Sequence, residues 1–300
     1  MPGAYKWLVP QSSFAPINAA TRLCAVLGSP IRHSASPEMH NAAFAALALD
    51  WRYLAFEVDP NNLRAAIEGA RAWSVVGLNL TLPHKLLAMD MVDVLDESAK
   101  TWGAVNTIKF EPDPAGTVRS IGYNTDADGL AGSLREDLKV ELRGTKVLLL
   151  GAGGAGRAAA LKLAAENAAE LFLVNRTPGK AVEMAGEVQK KYPSVRVSVG
   201  YPGGAVDLLV NATSLGWKPG DAAPLDEEQF PIKQAGAVYD MVYRPAETLL
   251  LKHAKAAGCR TANGIGMLVH QGAKAFEIWT GQPAPVAVMR RAAEGSIYGF

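Results

Sequence analysis

Lys85 ends the stretch LNLTLPHK at 78–85, and Asp126 ends GYNTD at 122–126. An enzyme that exchanges a hydride at an oxygen-bearing carbon must also move a proton to or from that oxygen, and a lysine positioned by a carboxylate can do so. The tyrosine and lysine spaced four apart that serve some hydride-transferring enzymes are missing, since none of the eight tyrosines has a lysine four residues on. Lys85 is the available alternative and Asp126 a partner for it, the two forming one coupled proton-transfer unit. Spacing alone leaves that pairing open. In the same stretch Asn79 and Thr81 alternate with Leu78, Leu80 and Leu82, so an extended chain would turn the polar pair to one side and the leucines to the other. Taken by itself, the pattern is more readily an edge strand with a solvated face and a surface lysine.

A second constellation is stronger. Gly151, Gly153 and Gly156 form GxGxxG directly after the apolar run TKVLLL, where a helix is due to start. Such glycines allow a tight turn, a close backbone approach to a pyrophosphate and tight packing of helix on strand, and the N–H groups at the helix start face the phosphates. The whole loop, Gly151, Ala152, Gly153, Gly154, Ala155 and Gly156, is therefore a candidate cofactor cradle. An NAD site places a carboxylate about 20 residues further on. Here that strand ends VNRTPGK, with Asn175, Arg176, Thr177 and Lys180 and no acidic residue. Arg176 can pair with and stack over an adenosine 2′-phosphate, Thr177 can donate a hydroxyl and Lys180 can add charge, which favours NADP over NAD. A surface arginine at a strand end is the plainer alternative.

The elements that must hold these residues follow an alternating rhythm. LCAVLG, WRYLAFEV and VVGLNLTL predict strands, with SPEMHNAAFAALAL and NNLRAAIEGARAW as the helices between them. That βαβαβ order predicts a mostly parallel sheet with covering helices. GAVNTIKF and VRSIGY then predict paired strands around EPDPAG. A second unit runs from TKVLLL through the glycine loop, the helix RAAALKLAAEN and the strand ELFLVN, with further strands at VRVSV, DLLVNA and AVYDM. The predicted division is an N-terminal extension (1–21), an α/β substrate domain (22–126) and a Rossmann domain (127–263), with a boundary near Asp126 to Leu130. A last helix, MLVHQGAKAFEIW, carries Leu268, Ala275, Phe276 and Trp279 on one stripe and returns, within 264–300, to the first domain.

Composition narrows the function classes. In 300 residues, 49% are hydrophobic and 20% charged, which leaves room for two domains with cores of their own and gives no sign of disorder. A net charge of +1 argues against a nucleic-acid surface. Cys24 and Cys259 form no CxxC pair, and the five histidines show no ligand spacing, so no metal is expected. With no continuous apolar segment of spanning length and no small-residue cleavage site, the expectation is a cytoplasmic enzyme with a small-molecule substrate, working as monomer or homodimer without a membrane partner.

Eight stretches, in order, carry a resemblance: GSPIRHSASPEMHNAAF at 28–44, GLNLTLPHK at 77–85, GAVNT at 103–107, GYNTDADG at 122–129, GAGGAGRA at 151–158, NRT at 175–177, NATSLG at 211–216 and NGIGMLVHQG at 263–272. Over about residues 22 to 290 the chain resembles the shikimate dehydrogenase family. The resemblance implies a substrate domain joined to an NADP-binding Rossmann domain with the active site in the cleft between. The implied reaction is reversible reduction of 3-dehydroshikimate to shikimate in aromatic amino-acid biosynthesis. It also implies that Lys85 and Asp126 are the catalytic pair, that Ser34 and Ser36 hold the substrate carboxylate, and that Asn79, Thr81, Asn106, Tyr243 and Gln271 contact the substrate. Thr213, Ser214, Gly264 and Met267 would lie on the nicotinamide side. Simple N-capping is the plainer role for Ser36. Leucines at 80 and 82 stand where the family more often has β-branched residues, a packing variation, and Asn263 in NGIG has no assigned role. Two rival readings are a relative that takes quinate as well, with NAD or both cofactors, and a non-catalytic nucleotide sensor, against which the retention of both Lys85 and Asp126 speaks.

Overall fold

The computed structural model describes residues 16–218 and 220–299, so most of the expected N-terminal extension lies outside the described residues. The first half contains β1 (Arg22–Gly28), α1 (Ser36–Ala46), β2 (Trp51–Glu57), α2 (Leu63–Ala72), β3 (Gly77–Leu80), α3 (His84–Leu87), β4 (Val94–Leu95), α4 (Glu97–Trp102), β5 (Thr107–Pro112) and β6 (Val118–Tyr123). Its sheet runs β2-β1-β3-β5-β6-β4, with β2, β1 and β3 mutually parallel and β5 and β6 joined as an antiparallel hairpin. β1 is buried on both faces, as the middle of a parallel sheet requires. Cys24 and Val26 pack with Met39, Phe44 and Phe276, while Ala25 and Leu27 pack with Leu63, Ile67 and Leu78.

The second half contains α5 (Asp126–Leu138), β7 (Lys146–Leu150), α6 (Gly154–Ala165), β8 (Glu170–Val174), α7 (Pro178–Lys191), β9 (Arg196–Val199), β10 (Val206–Asn211), β11 (Ala235–Asp240), α8 (Leu249–Ala256), β12 (Arg260–Asn263), α9 (Ile265–Thr280) and α10 (Val286–Tyr298). The order β12-β11-β10-β7-β8-β9 is parallel throughout. This is the doubly wound dinucleotide-binding order, and its strand order reverses beside the end of β7, where the glycine loop begins. Val147 and Leu149 face one core cluster, Leu148 and Leu150 the other.

Four expectations change. β3 is an interior strand and ends at Leu80, so Thr81 and Leu82 lie beyond it. Leu80 is 2% exposed but Leu82 is 74% exposed, so the leucine at 82 is not a packing substitution. The residues expected as a boundary, 126–130, lie inside α5, so the chain crosses from one sheet to the next through a continuous helix. The helix expected to be last is followed by α10, whose Met289 and Ala293 join Phe44, Phe276 and Trp279 in the core beside β1. Helix α9 crosses α5 closely: a Cβ on Gly129 would lie 2.8 Å from the Met267 carbonyl oxygen and 2.9 Å from Gln271. That approach brings Asp126, at the start of α5, toward Gln271 on α9.

Candidate active site

Loops leaving the C-terminal ends of β1, β3, β11 and β12 meet around a cavity of about 380 Å³. Its lining includes Ser34, Ser36, Asn79, Thr81, Lys85, Asp126, Tyr243, Gly264, Met267 and Gln271, together with Ala155 from the glycine loop. Lys85 comes from the single turn of α3, and its Nζ donates to Asp126 Oδ2 at 2.6 Å. Both side chains are largely covered, at 27% and 17% exposure, yet both still reach the cavity. The other Asp126 oxygen accepts from Asn106 Nδ2 at 2.9 Å. Asn106 is itself buried, and its orientation is fixed by the Thr125 backbone N–H, which donates to Asn106 Oδ1 at 2.8 Å. Gln271 Oε1 sits 3.5 Å from Asn106 Nδ2.

Asn79, in the middle of β3, answers the question its polarity raises in an apolar strand. Tyr53 on β2 donates to Asn79 Oδ1 at 2.7 Å, and Asn79 Nδ2 donates to the Asn106 carbonyl at 3.1 Å and to Thr107 Oγ1 at 2.9 Å. Beneath Tyr53, His40 stacks ring on ring at 4.3 Å. Burial pushes the His40 imidazole down to about 3 and the Tyr53 phenol well above its usual range, so both are neutral near pH 7. Ser36 is the first residue of α1 and its N-cap is Ala35, which removes N-capping as the role of Ser36. Instead the Ser36 N–H donates to Ser34 Oγ at 3.3 Å, and its hydroxyl lies beside that of Tyr53.

The glycine loop is shaped for a phosphate-bearing group. Gly151 has φ +105°, and a Cβ on Gly156 would fall 2.0 Å from the Gly151 carbonyl oxygen, so these two glycines are demanded by the turn itself. At Gly153 and Gly154 a Cβ would meet nothing within 4 Å, which leaves open space over the start of α6. No side chain caps that helix, so its first N–H groups face outward. Asn175 does not project toward that space: its Oδ1 accepts from the Ala152 N–H at 3.0 Å and its Nδ2 donates to the Thr177 carbonyl, holding the loop against the end of β8. Arg176, Thr177 and Lys180 are exposed, and among the described residues neither Arg176 nor Lys180 is in an ion pair. These features fit a dinucleotide carrying a 2′-phosphate.

Comparison with known proteins agrees along the chain. The family description of the shikimate dehydrogenase substrate binding domain matches residues 26–108, that of shikimate / quinate 5-dehydrogenase residues 133–201, and that of the shikimate 5'-dehydrogenase C-terminal domain residues 264–294. A shikimate dehydrogenase (NADP(+)) of Methanopyrus kandleri is 43% identical over 283 residues, covering 92% of this chain and 96% of the relative. The chain belongs to the shikimate dehydrogenase family. Among solved structures, the shikimate 5-dehydrogenase of Thermus thermophilus in complex with NADP(H) and shikimate superposes with a TM-score of 0.79 at 37% identity, covering 92% of this chain and 99% of that one. The ligand-free 5-ketofructose reductase of Gluconobacter sp. strain CHM43 reaches 0.81 at 35% identity, covering 93% and 99%. The shared fold thus supports more than one substrate, and the choice lies in side chains.

Within this family member, the structure gathers Lys85, Asp126, Asn79, Thr81, the two serines, Tyr243 and Gln271 around one cavity, with Asn106 buried directly behind the aspartate. Ser214 lies on an adjoining recess of about 360 Å³ with His33, Trp217, Met241 and Tyr243. Thr213 is turned into its own loop, where its Oγ1 donates to Asn211 Oδ1 at 2.7 Å and accepts from the Leu215 N–H. Gly264 contributes close approach, since a Cβ there would lie 2.1 Å from the Met241 carbonyl oxygen. Asn263 acquires a role: its Oδ1 accepts from the Ile265 N–H at the start of α9, and its Nδ2 donates to the Ala246 carbonyl and to Tyr298. Sequence reasoning passed over Tyr53, Thr107, Thr125 and the buried Asp240, which accepts from Thr248, Asn211 and the Val242 N–H below the loop carrying Tyr243. Burial raises the Asp240 carboxyl above its usual range. The available signals were a phenol inside β2 for Tyr53 and, for Asp240, a carboxylate at the end of β11 with apolar residues on both sides of it in the sequence.

Among the described residues no cluster of three or more His, Cys, Asp or Glu side chains is placed to hold a metal ion, and no helix is long and apolar enough to cross a membrane.

Proposed function

We propose that this chain is an NADP-dependent shikimate dehydrogenase that reversibly reduces 3-dehydroshikimate to shikimate, with Lys85 and Asp126 as the proton-transfer pair. The observation that carries the reading is the 2.6 Å contact between Lys85 and Asp126 on the wall of a cavity that also presents the two serines and the edge of the glycine loop. The first sheet is the substrate side, and the doubly wound sheet is the cofactor side.

The Gly151–Gly156 loop and the start of α6 would hold the pyrophosphate of NADP, while Arg176 and Lys180 would meet its 2′-phosphate, assisted by Thr177. When bound, NADPH would supply the hydride for reduction and NADP+ would accept it in the reverse direction. Lys85 does the complementary work. Its ammonium group has three donor hydrogens, of which Asp126 takes one; another would pass to the ketone oxygen as that oxygen gains charge, leaving a neutral amine whose lone pair would take the hydroxyl proton in the oxidative direction. Asp126 fixes where that ammonium points, and Asn106 fixes Asp126. Ser34 and Ser36 hold the substrate carboxylate, Thr81, Gln271 and Tyr243 meet the ring hydroxyls and cover the site, and Asn79, both of whose Nδ2 hydrogens are taken, offers only the second lone pair of its Oδ1. Quinate differs from shikimate at the carboxylate-bearing carbon, so the serine pair is where selectivity between them is exercised. The enzyme acts in the cytoplasm, as monomer or homodimer.

The test is one set of steady-state assays with shikimate, quinate and fructose, each with NADP and NAD. Shikimate with NADP should give the highest kcat/KM. A higher value for fructose would move the chain to the ketofructose reductase branch, and a higher value with NAD would remove the role given to Arg176.

A further inference from the structure

Two backbone groups determine the direction of a buried hydrogen-bond chain behind the active site. The Thr125 N–H can only donate, and it meets Asn106 Oδ1 at 2.8 Å, so Asn106 must turn its Nδ2 to Asp126. The Asn106 carbonyl can only accept, and it meets Asn79 Nδ2 at 3.1 Å, so Asn79 must turn its Oδ1 to Tyr53. Tyr53 is then the donor to Asn79. Thr107 lies between the two amides: its Oγ1 accepts from Asn79 Nδ2 at 2.9 Å and donates to Asn106 Oδ1 at 3.0 Å. From Tyr53 through Asn79, Thr107 and Asn106 every donor points toward Asp126, and Lys85 meets the same carboxylate from the other side. Bonds aligned head to tail polarise one another, and out of contact with water each is costly to leave unmade.

We infer that Thr107, with Tyr53 behind it, is a positioning residue for the proton-transfer pair, its hydroxyl joining the Asn79 and Asn106 amides into a single chain that ends on Asp126. This rests on the functional reading above, in which Lys85 and Asp126 move the substrate proton. Thr107 and Tyr53 are 0% exposed and belong to neither the glycine loop nor the cavity wall; Tyr53 also meets the Ser36 hydroxyl, whereas the hydroxyl of Thr107 reaches the site through the two asparagines, so Thr107 carries the test.

The side chain of Thr107 offers a clean separation, since its methyl packs and its hydroxyl bonds. Thr107→Val keeps the shape and removes the hydroxyl, whereas Thr107→Ser keeps the hydroxyl and loses the methyl. The expected result is a kcat for shikimate oxidation about tenfold lower in the valine variant, the effect of one buried hydrogen bond, with KM for NADP within about twofold of the parent. The serine variant should stay within about threefold of the parent kcat even though loss of the packed methyl lowers its melting temperature below the parent's. Tyr53→Phe, which keeps the stack on His40, should lose about tenfold in kcat/KM for shikimate. A valine variant with parental kcat, or a serine variant as slow as the valine one, would overturn the inference. A second readout needs no turnover: with asparagine labelled in 15N, the side-chain amide protons of Asn79 and Asn106 should exchange slowly in the parent and Thr107→Ser and quickly in Thr107→Val. Should the parent fail to oxidise shikimate with NADP, the functional reading falls, while the exchange comparison still decides whether the hydroxyl holds the amides. Equal exchange in all three proteins would sink it.

Discussion

The two sides of the cleft are built on opposite plans. On the first sheet, Tyr53, Asn79, Thr107 and Asn106 are all at most 5% exposed and bonded to one another, so the groups behind the lysine are locked before any ligand arrives. On the second sheet the glycine loop leaves space over Gly153 and Gly154, an uncapped helix start, and in Arg176 and Lys180 two exposed cations outside any ion pair among the described residues. The difference matches the two tasks proposed for them. A proton donor must be held in place to be effective. A phosphate site instead needs N–H groups and cations that nothing else has already taken.

The comparison can be broken most severely at Lys85. Removing a positioned acid or base costs about 100 to 10,000-fold in rate, so Lys85→Ala should abolish most turnover, while NADP affinity by fluorescence titration stays near the parent's. If the variant remains active, the locked side is not where the proton moves.

His40 tests how deeply the locked side is buried. Its folded-state value of about 3 lies below the 6.5 of a free imidazole. As pH falls through 6.5 the unfolded chain takes up a proton that the folded chain refuses until about 3, so stability is full above that window and lost across it. The loss is about 1.4 kcal/mol per pH unit, or roughly 2 kcal/mol by pH 5. His40→Phe, which preserves ring stacking, should remove this part of the acid loss when urea unfolding is compared at pH 7 and pH 5. Equal losses in parent and variant would mean that the imidazole finds a proton partner in the fold.

Ser36→Ala should raise KM for shikimate roughly 10 to 150-fold, the range for losing a hydrogen bond to a charged group, with little change in KM for NADP. A parental KM would take the carboxylate away from the serine pair. The smallest effect belongs to the open side. Arg176→Ala should narrow the NADP preference over NAD by about tenfold, because Lys180 remains as a point charge, without creating a good NAD enzyme, since VNRTPGK offers no carboxylate to a ribose hydroxyl. An unchanged ratio of kcat/KM values would show that the 2′-phosphate is read elsewhere.

The glycine loop was legible in the sequence because its requirements are local: a positive φ at Gly151 and a contact between Gly151 and Gly156 are settled within six residues. Lys85 and Asp126 are 41 residues apart, and nothing in either stretch states that α3 and the start of α5 meet. Resemblance supplied that pairing. The alternation of Asn79 and Thr81 suggested a waiting polar face, but strand β3 stops at Leu80 and lies inside the sheet, so Asn79 is bonded within the fold while Thr81 reaches the cavity from beyond the strand.

By itself the sequence determined the βαβ rhythm of both halves, the glycine loop and the cationic strand end after it, since each depends on residues a few positions apart, but not β4, β12, α5 or α10. Only the tertiary structure decided which polar residues are spent on one another. Tyr53, Asn79 and Thr107 come from three different strands, β2, β3 and β5, and Asn106 from the residue preceding the last of them. Their meeting depends on the order β2-β1-β3-β5 and on its register, and side chains from non-consecutive strands carry no mark of that order along the chain.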